Sequence, residues 1–86
     1  MKKADFEQFL FYCSPAEENG CDWDFAVLVD GNWIRCHGSG EHCDQTPPKE
    51  VIEQNVYLST DIFDRDQKRF HWGLIPYEEI KAVRLI

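Results

Sequence analysis

An α+β domain, mainly β, in which an N-terminal helix precedes a small, strongly bent antiparallel sheet, is the fold class that this sequence predicts. Three observations predict it. Phe6, Phe9, Leu10 and Cys13 recur at helical spacing near the start. From Phe25 onward, apolar residues either cluster as β-formers or alternate with polar ones. Turn-forming residues then cut this part into short segments, at Asp30-Gly31-Asn32 and again at Asp64-Arg65-Asp66-Gln67. With 86 residues the chain has room for one core, because domains usually run to ~100–150 residues. Residues 1–86 therefore read as a single domain, with a helix and loop over 1–20 and a sheet over 21–86 that carries a long loop at 38–50. Aromatic residues make up 14% of the chain, and each large ring buries roughly 150–250 Å², so a core without metal or disulfide is expected.

Each element has its own local reason. The helix spans Ala4 to Cys13, with Asp5 as its cap and Gln8 placed to reach back as in a capping box. Ser14-Pro15 ends it, since proline disfavours the helical region for the residue before it. Glu17 to Gly20 is a solvated loop. Phe25 to Asp30 forms a strand, Asp30-Gly31-Asn32 supplies the positive φ of a tight hairpin turn, and Trp33 to Cys36 returns. Gly38-Ser39-Gly40 through Pro47-Pro48 holds too many glycines, prolines and polar residues for a strand, and Lys49 to Gln54 reads equally as a helical turn or the start of a strand. Val56, Leu58, Thr60 and Ile62 then define the inward side of a third strand. After a polar loop at 64–67, Phe70, Trp72 and Leu74 are expected to face the core, with Arg69, His71 and Gly73 outward. Pro76 to Ile80 suits one helical turn, with proline at its start and acids near its positive end. Ala82 to Ile86 is the last strand.

The net charge is −7 and is unevenly placed: residues 1–50 carry ten acids against four bases, residues 51–86 six against five. Such a domain repels phosphate backbones, so nucleic acid is not the expected partner; a basic protein surface suits it better. No stretch approaches the ~20 apolar residues of a membrane span, and no export signal is evident. A cytoplasmic location is expected, with Cys13, Cys21, Cys36 and Cys43 as thiols. Four cysteines also allow three disulfide pairings.

The run Leu74-Ile75-Pro76-Tyr77-Glu78-Glu79-Ile80-Lys81-Ala82-Val83, in which strand, one-turn helix and final strand follow closely, resembles the five-stranded barrels of the SH3-like and Sm-like kind. The resemblance covers roughly residues 25–86 and implies a five-stranded SH3/Sm-like barrel; the preceding helix fits the Sm-like branch. Cys21-Asp22-Trp23-Asp24 loosely resembles a motif near the start of the bacterial inhibitors of the Rho terminator, which are acidic and Sm-like. A strand pattern follows it at once where that family would have helix, and no functional residue is carried over.

Several constellations carry candidate chemistry. Cys36, His37, His42 and Cys43 place two thiols and two imidazoles on one loop, a donor set that zinc takes tetrahedrally. The two cysteines are seven residues apart, wider than the usual two-to-four spacing. A thiol nucleophile, Cys36 or Cys43 with His37, His42 or His71 as base, needs a third, orienting group, and adjacent Cys36 and His37 would point to opposite faces of a strand. His71 is expected at the surface. Glu17, Glu18, Asp22 and Asp24 surround Trp23, which either presents a tryptophan for a basic partner or covers one end of the sheet within a solvated acidic rim. Tyr57, Phe63 and Tyr77 are candidates for stacking on bases, but Asp61, Asp64 and Asp66 offset the basic Arg65, Lys68 and Arg69. The sequence thus points to a non-enzymatic, cofactor-free protein-interaction or regulatory module that binds a basic surface through Glu17, Glu18, Asp22, Trp23 and Asp24. The alternative is a zinc-binding domain using the Cys36–Cys43 loop. Edge pairing through residues 82–86 would make a homo-oligomer.

Overall fold

The computed structural model describes residues 1–13, 23–38 and 56–86. Their order is α1 (Lys3–Cys13), β1 (Asp24–Val29), β2 (Asn32–His37), β3 (Tyr57–Asp64), β4 (Arg69–Pro76), a 3-10 turn (Tyr77–Glu79) and β5 (Ile80–Leu85). The five strands form one antiparallel sheet in the order β4-β3-β2-β1-β5. It is an α+β fold, mainly β, as the sequence predicts. The sheet is not closed into a barrel: β4 and β5 sit at opposite edges rather than pairing with each other.

Local chemistry explains most of the joints. Asp30 (φ 51°) and Gly31 (φ 78°) supply the two left-handed residues of the β1–β2 turn, the requirement that favours Asp-Gly there. The β3–β4 loop is held by the Asp64 carboxylate, whose Oδ1 accepts from the backbone N–H groups of Asp66 (2.9 Å) and Gln67 (3.2 Å). Pro76 leads into the 3-10 turn, and the Tyr77 N–H donates to the Val56 carbonyl. β1 and β5 pair with a register shift between Leu28 and Val29; such a bulge bends the strand and raises its twist.

The core lies between α1 and the inner face of the sheet. Phe6 and Leu10 of α1 are fully buried, together with Trp23, Phe25, Val27, Cys36, Leu58 and Ile80. The Phe6 ring meets Phe25 at 5.5 Å and Tyr77 at 5.6 Å edge-on, the geometry that aromatic quadrupoles prefer. α1 begins at Lys3, one residue ahead of the expected Ala4, so Asp5 lies inside its first turn rather than capping it. Cys13 is exposed. The Met1 amino group donates to the carbonyls of Tyr77 (2.9 Å) and Ile80 (2.7 Å), tying the start of α1 to the 3-10 turn.

The inward side of β3 is as expected at Leu58 and Thr60, but β4 faces the other way. Leu58 pairs with Ile75 and Thr60 with Gly73, while Phe63 pairs with Phe70 and Asp61 with Trp72. Cross-strand partners share a face, so Gly73 and Ile75 face inward and Phe70, Trp72 and Leu74 lie outside. Phe70 is 37% and Trp72 40% exposed. The long loop beyond Gly38, the ambiguous stretch 49–54 and the loop 17–20 lie outside the described residues. Among the described residues no helix is long and apolar enough to cross a membrane.

Candidate functional site

The face of the sheet away from α1 collects the side chains that the core does not use. Strand alternation places Asp24, Ala26 and Leu28 of β1 on it, and the registers bring His37, Arg35 and Trp33 of β2 opposite them in turn. On the other side of β1, Ala26 pairs with Arg84 of β5. Arg35, Ala26 and Arg84 therefore form one row across three strands. β3 and β4 extend the face with Asp61, Phe63, Phe70 and Trp72.

Two guanidinium groups of this face lie on aromatic rings. Arg84 sits 4.2 Å from the centroid of Trp33, and Arg35 lies 5.6 Å from Phe63 and 5.5 Å from Phe70, all within the ~6 Å over which a ring quadrupole attracts a cation. Phe63 and Phe70 themselves meet at 5.3 Å, and the His37 imidazole is 6.0 Å from Phe70. Ala26 forms the floor of an open groove of about 720 Å³, walled by Trp33, Arg35, Phe63, Arg65 and Arg84. Among the described residues, no carboxylate lies within ion-pair distance of Arg35, Arg65 or Arg84. The carboxylates on the same face are Asp24, whose Oδ1 is 2.9 Å from His37 Nδ1, and Asp61 opposite His37 and Trp72. Trp72 is held in place by its indole Nε1, which donates to the buried Ser59 hydroxyl at 2.7 Å.

The sites expected from sequence fall differently. Trp23 is 2% exposed and packs edge-on against Phe11 at 4.9 Å; of the two readings of that tryptophan, its position is that of a ring covering the core. Asp24 is exposed beside His37, whereas Glu17, Glu18 and Asp22 lie outside the described residues. Cys36 is buried in the core, and burial pushes its thiol up from 9.0 to about 12 against a smaller opposing effect of the Thr60 hydroxyl. Its neighbour His37 points to the opposite face, toward Asp24. The structure thus separates Cys36 from His37; His42 and Cys43 lie outside the described residues, and among those described no group of three or more His, Cys, Asp or Glu is placed to hold a metal ion. His71 is exposed, its Nε2 3.8 Å from Asp64 Oδ2. Of the three proposed stacking rings, Tyr77 is 4% exposed and in the core, Tyr57 is half-buried, and Phe63 is covered by Arg35.

Arg35, Arg84, Trp33 and Trp72 were not singled out by sequence. The available signal was the alternation Trp33-x-Arg35-x-His37 in β2, which places an aromatic, a guanidinium and an imidazole on one side of a strand. Comparison with known proteins finds no matching family profile, no similar curated protein and no similar solved structure.

Proposed function

We propose that this chain is a non-enzymatic protein-interaction module and that it binds through the sheet face opposite α1, along the edge strand β4. One observation carries the reading: Phe70 and Trp72 stand exposed on an edge strand beside Arg35. Tryptophan and arginine are the residue types that most often dominate interface energetics, and an open strand edge accepts a partner's backbone directly. The strand order, with a 3-10 turn leading from β4 into β5, also supports kinship with SH3-like and Sm-like small barrels that have opened between those two strands. A cytoplasmic setting remains the one this reading assigns.

The test is quantitative affinity capture from the native lysate with the wild type and with Phe70→Ala/Trp72→Ala, each checked for folding by circular dichroism. Proteins retained by the wild type and lost from the variant are the expected result; identical capture by both sinks the proposal for this face. The net charge of −7 favours a second reading, a basic partner attracted by Glu17, Glu18, Asp22 and Asp24. Replacing those four acids by their amides then lowers both capture and its salt dependence, and unchanged capture ends that reading. β5 forms the other edge, with Leu85 and Ile86 exposed, and pairing of two such edges is the route to a homodimer that light scattering reads directly.

A further inference from the structure

Building on the interaction-module reading, we infer that the groove over Ala26 is the seat of an acidic peptide segment of a protein partner, with Arg35 and Arg84 each taking a carboxylate. Ala26 is the common register partner of both arginines, and adjacent strands lie ≈ 4.7–4.9 Å apart. The two guanidinium stems therefore rise about 10 Å from each other across a floor with only a methyl group. An extended chain advances ~3.3 Å per residue and alternates its faces, so acidic side chains two residues apart stand ~6.6 Å apart on one face, and the long side chains on both sides close the remaining few ångströms. Charge complementarity identifies the occupant. In a chain with sixteen acids and nine lysines and arginines, three arginines on one groove lack a carboxylate partner among the described residues.

The way the arginines are held supports a carboxylate-bearing peptide over a nucleic acid. Arg84 covers Trp33, and Arg35 covers Phe63 and Phe70, so bases would have to displace the guanidinium groups to stack on those rings. A guanidinium attracted to a ring face makes no hydrogen bond to that ring, so its N–H donors stay available to a carboxylate, which it can receive bidentately. A polyphosphate strand would meet the field of the whole acidic chain, which repels it, whereas a peptide with two or three carboxylates experiences little of that repulsion. The apolar side of such a peptide finds Trp33 and the exposed Ile86 along the groove.

The experiment is fluorescence anisotropy at low salt with a labelled peptide alternating Glu and Leu, its Gln-for-Glu counterpart, and an oligothymidine of matching charge. The Glu peptide is expected to bind, the Gln peptide not, and Arg35→Gln/Arg84→Gln is expected to weaken binding by about tenfold or more while its circular dichroism stays that of the wild type. A Trp33 indole N–H resonance that shifts on titration, with that of buried Trp23 unmoved, locates the peptide in the groove. The inference is overturned if the Glu peptide fails to bind, if the Gln peptide binds as well, if the double variant binds like the wild type, or if oligothymidine binds more tightly. It is also overturned if sedimentation shows a dimer that the double variant abolishes, since the occupant would then be a second copy of this chain. Capture that survives Arg35→Gln/Arg84→Gln but is lost in Phe70→Ala/Trp72→Ala overturns this inference alone and leaves the interaction module standing.

Discussion

Raising the pH above about 9 should destabilise this domain through Cys36, and the size of the effect follows from where the thiol sits. Cys36 is fully buried, opposite Phe25 on one side and Ile62 on the other. Burial pushes its ionisation up from 9.0 to about 12, with the Thr60 hydroxyl pulling weakly the other way. In the unfolded chain the thiol loses its proton near the lower value, while in the folded chain it keeps it. Between the two values the unfolded state therefore binds fewer protons, and stability falls as pH rises; below that window the contribution is fully present. Each tenfold change in proton affinity is worth about 1.4 kcal/mol, so the loss approaches about 4 kcal/mol at the top of the window and is about 2 kcal/mol at about pH 10.5. A chain of this length has a total stability of ~4–13 kcal/mol at ~0.05–0.15 kcal/mol per residue, so the change is well within reach of urea titration. The quantity to measure is the difference between the wild type and Cys36→Val, which cancels effects of alkali on the rest of the chain, with Cys36→Ala as a second variant should valine overpack the site. Between about pH 8 and about pH 10.5 the wild type should lose about 2 kcal/mol more than either variant. Equal losses in all three would refute the reasoning, because the folded protein would then ionise Cys36 as freely as the unfolded chain does.

The same burial predicts the response to metal. Zinc or a chelator should leave the thermal midpoint unchanged, since Cys36 would have to leave the core to ligate a metal; a zinc-dependent rise in the midpoint would favour the Cys36–Cys43 site. Phe6→Ala should cost ~3–5 kcal/mol, because its ring is fully buried and touches Phe25 and Tyr77. Chemical denaturation checks this, and a loss below about 1 kcal/mol would mean that α1 is not docked as described.

What the sequence made legible was what short stretches decide. The β1–β2 turn needed two residues at positive φ and Asp30-Gly31 provides them; the one-turn helix needed a proline ahead of it and Pro76 is there. The inward positions Leu58 and Thr60 followed from alternation within a single strand. Which face of β4 turns inward was not legible, because large apolar residues at 70, 72 and 74 imitate a core face while a glycine imitates a solvent one. The structure shows why the pattern misleads. A Cβ added at Gly73 would stand 2.6 Å from Ile62 Cδ1, so the absence of a side chain is what lets Ile62 fold over β4 on the inner side. Closure of the sheet was equally beyond reach, since it depends on twist accumulated over five strands and not on any residue pair. The arginine-aromatic groove escaped notice because its members come from four strands and meet only through the register.

These misassignments bear on function. Trp72, expected to face the core, is 40% exposed, while Trp23, read either as a ring presented to a partner or as cover for one end of the sheet, is buried. A chain with so small a core gains roughly 25 cal/mol for every Å² of apolar surface it hides, so leaving Phe70 and Trp72 partly in water forgoes stability that a domain of this size can ill spare. Neither ring is loose. Trp72 is pinned to Ser59, and Phe70 is wedged between Phe63, His37 and the Arg35 guanidinium. Rings held rigid at a surface lose little entropy when a partner covers them, and that partner would hide the very area the fold leaves exposed. The local rule that large aromatics turn inward thus fails in β4 where a pre-organised face next to an open strand edge results, and a site that breaks such a rule while remaining well ordered is where function is to be sought.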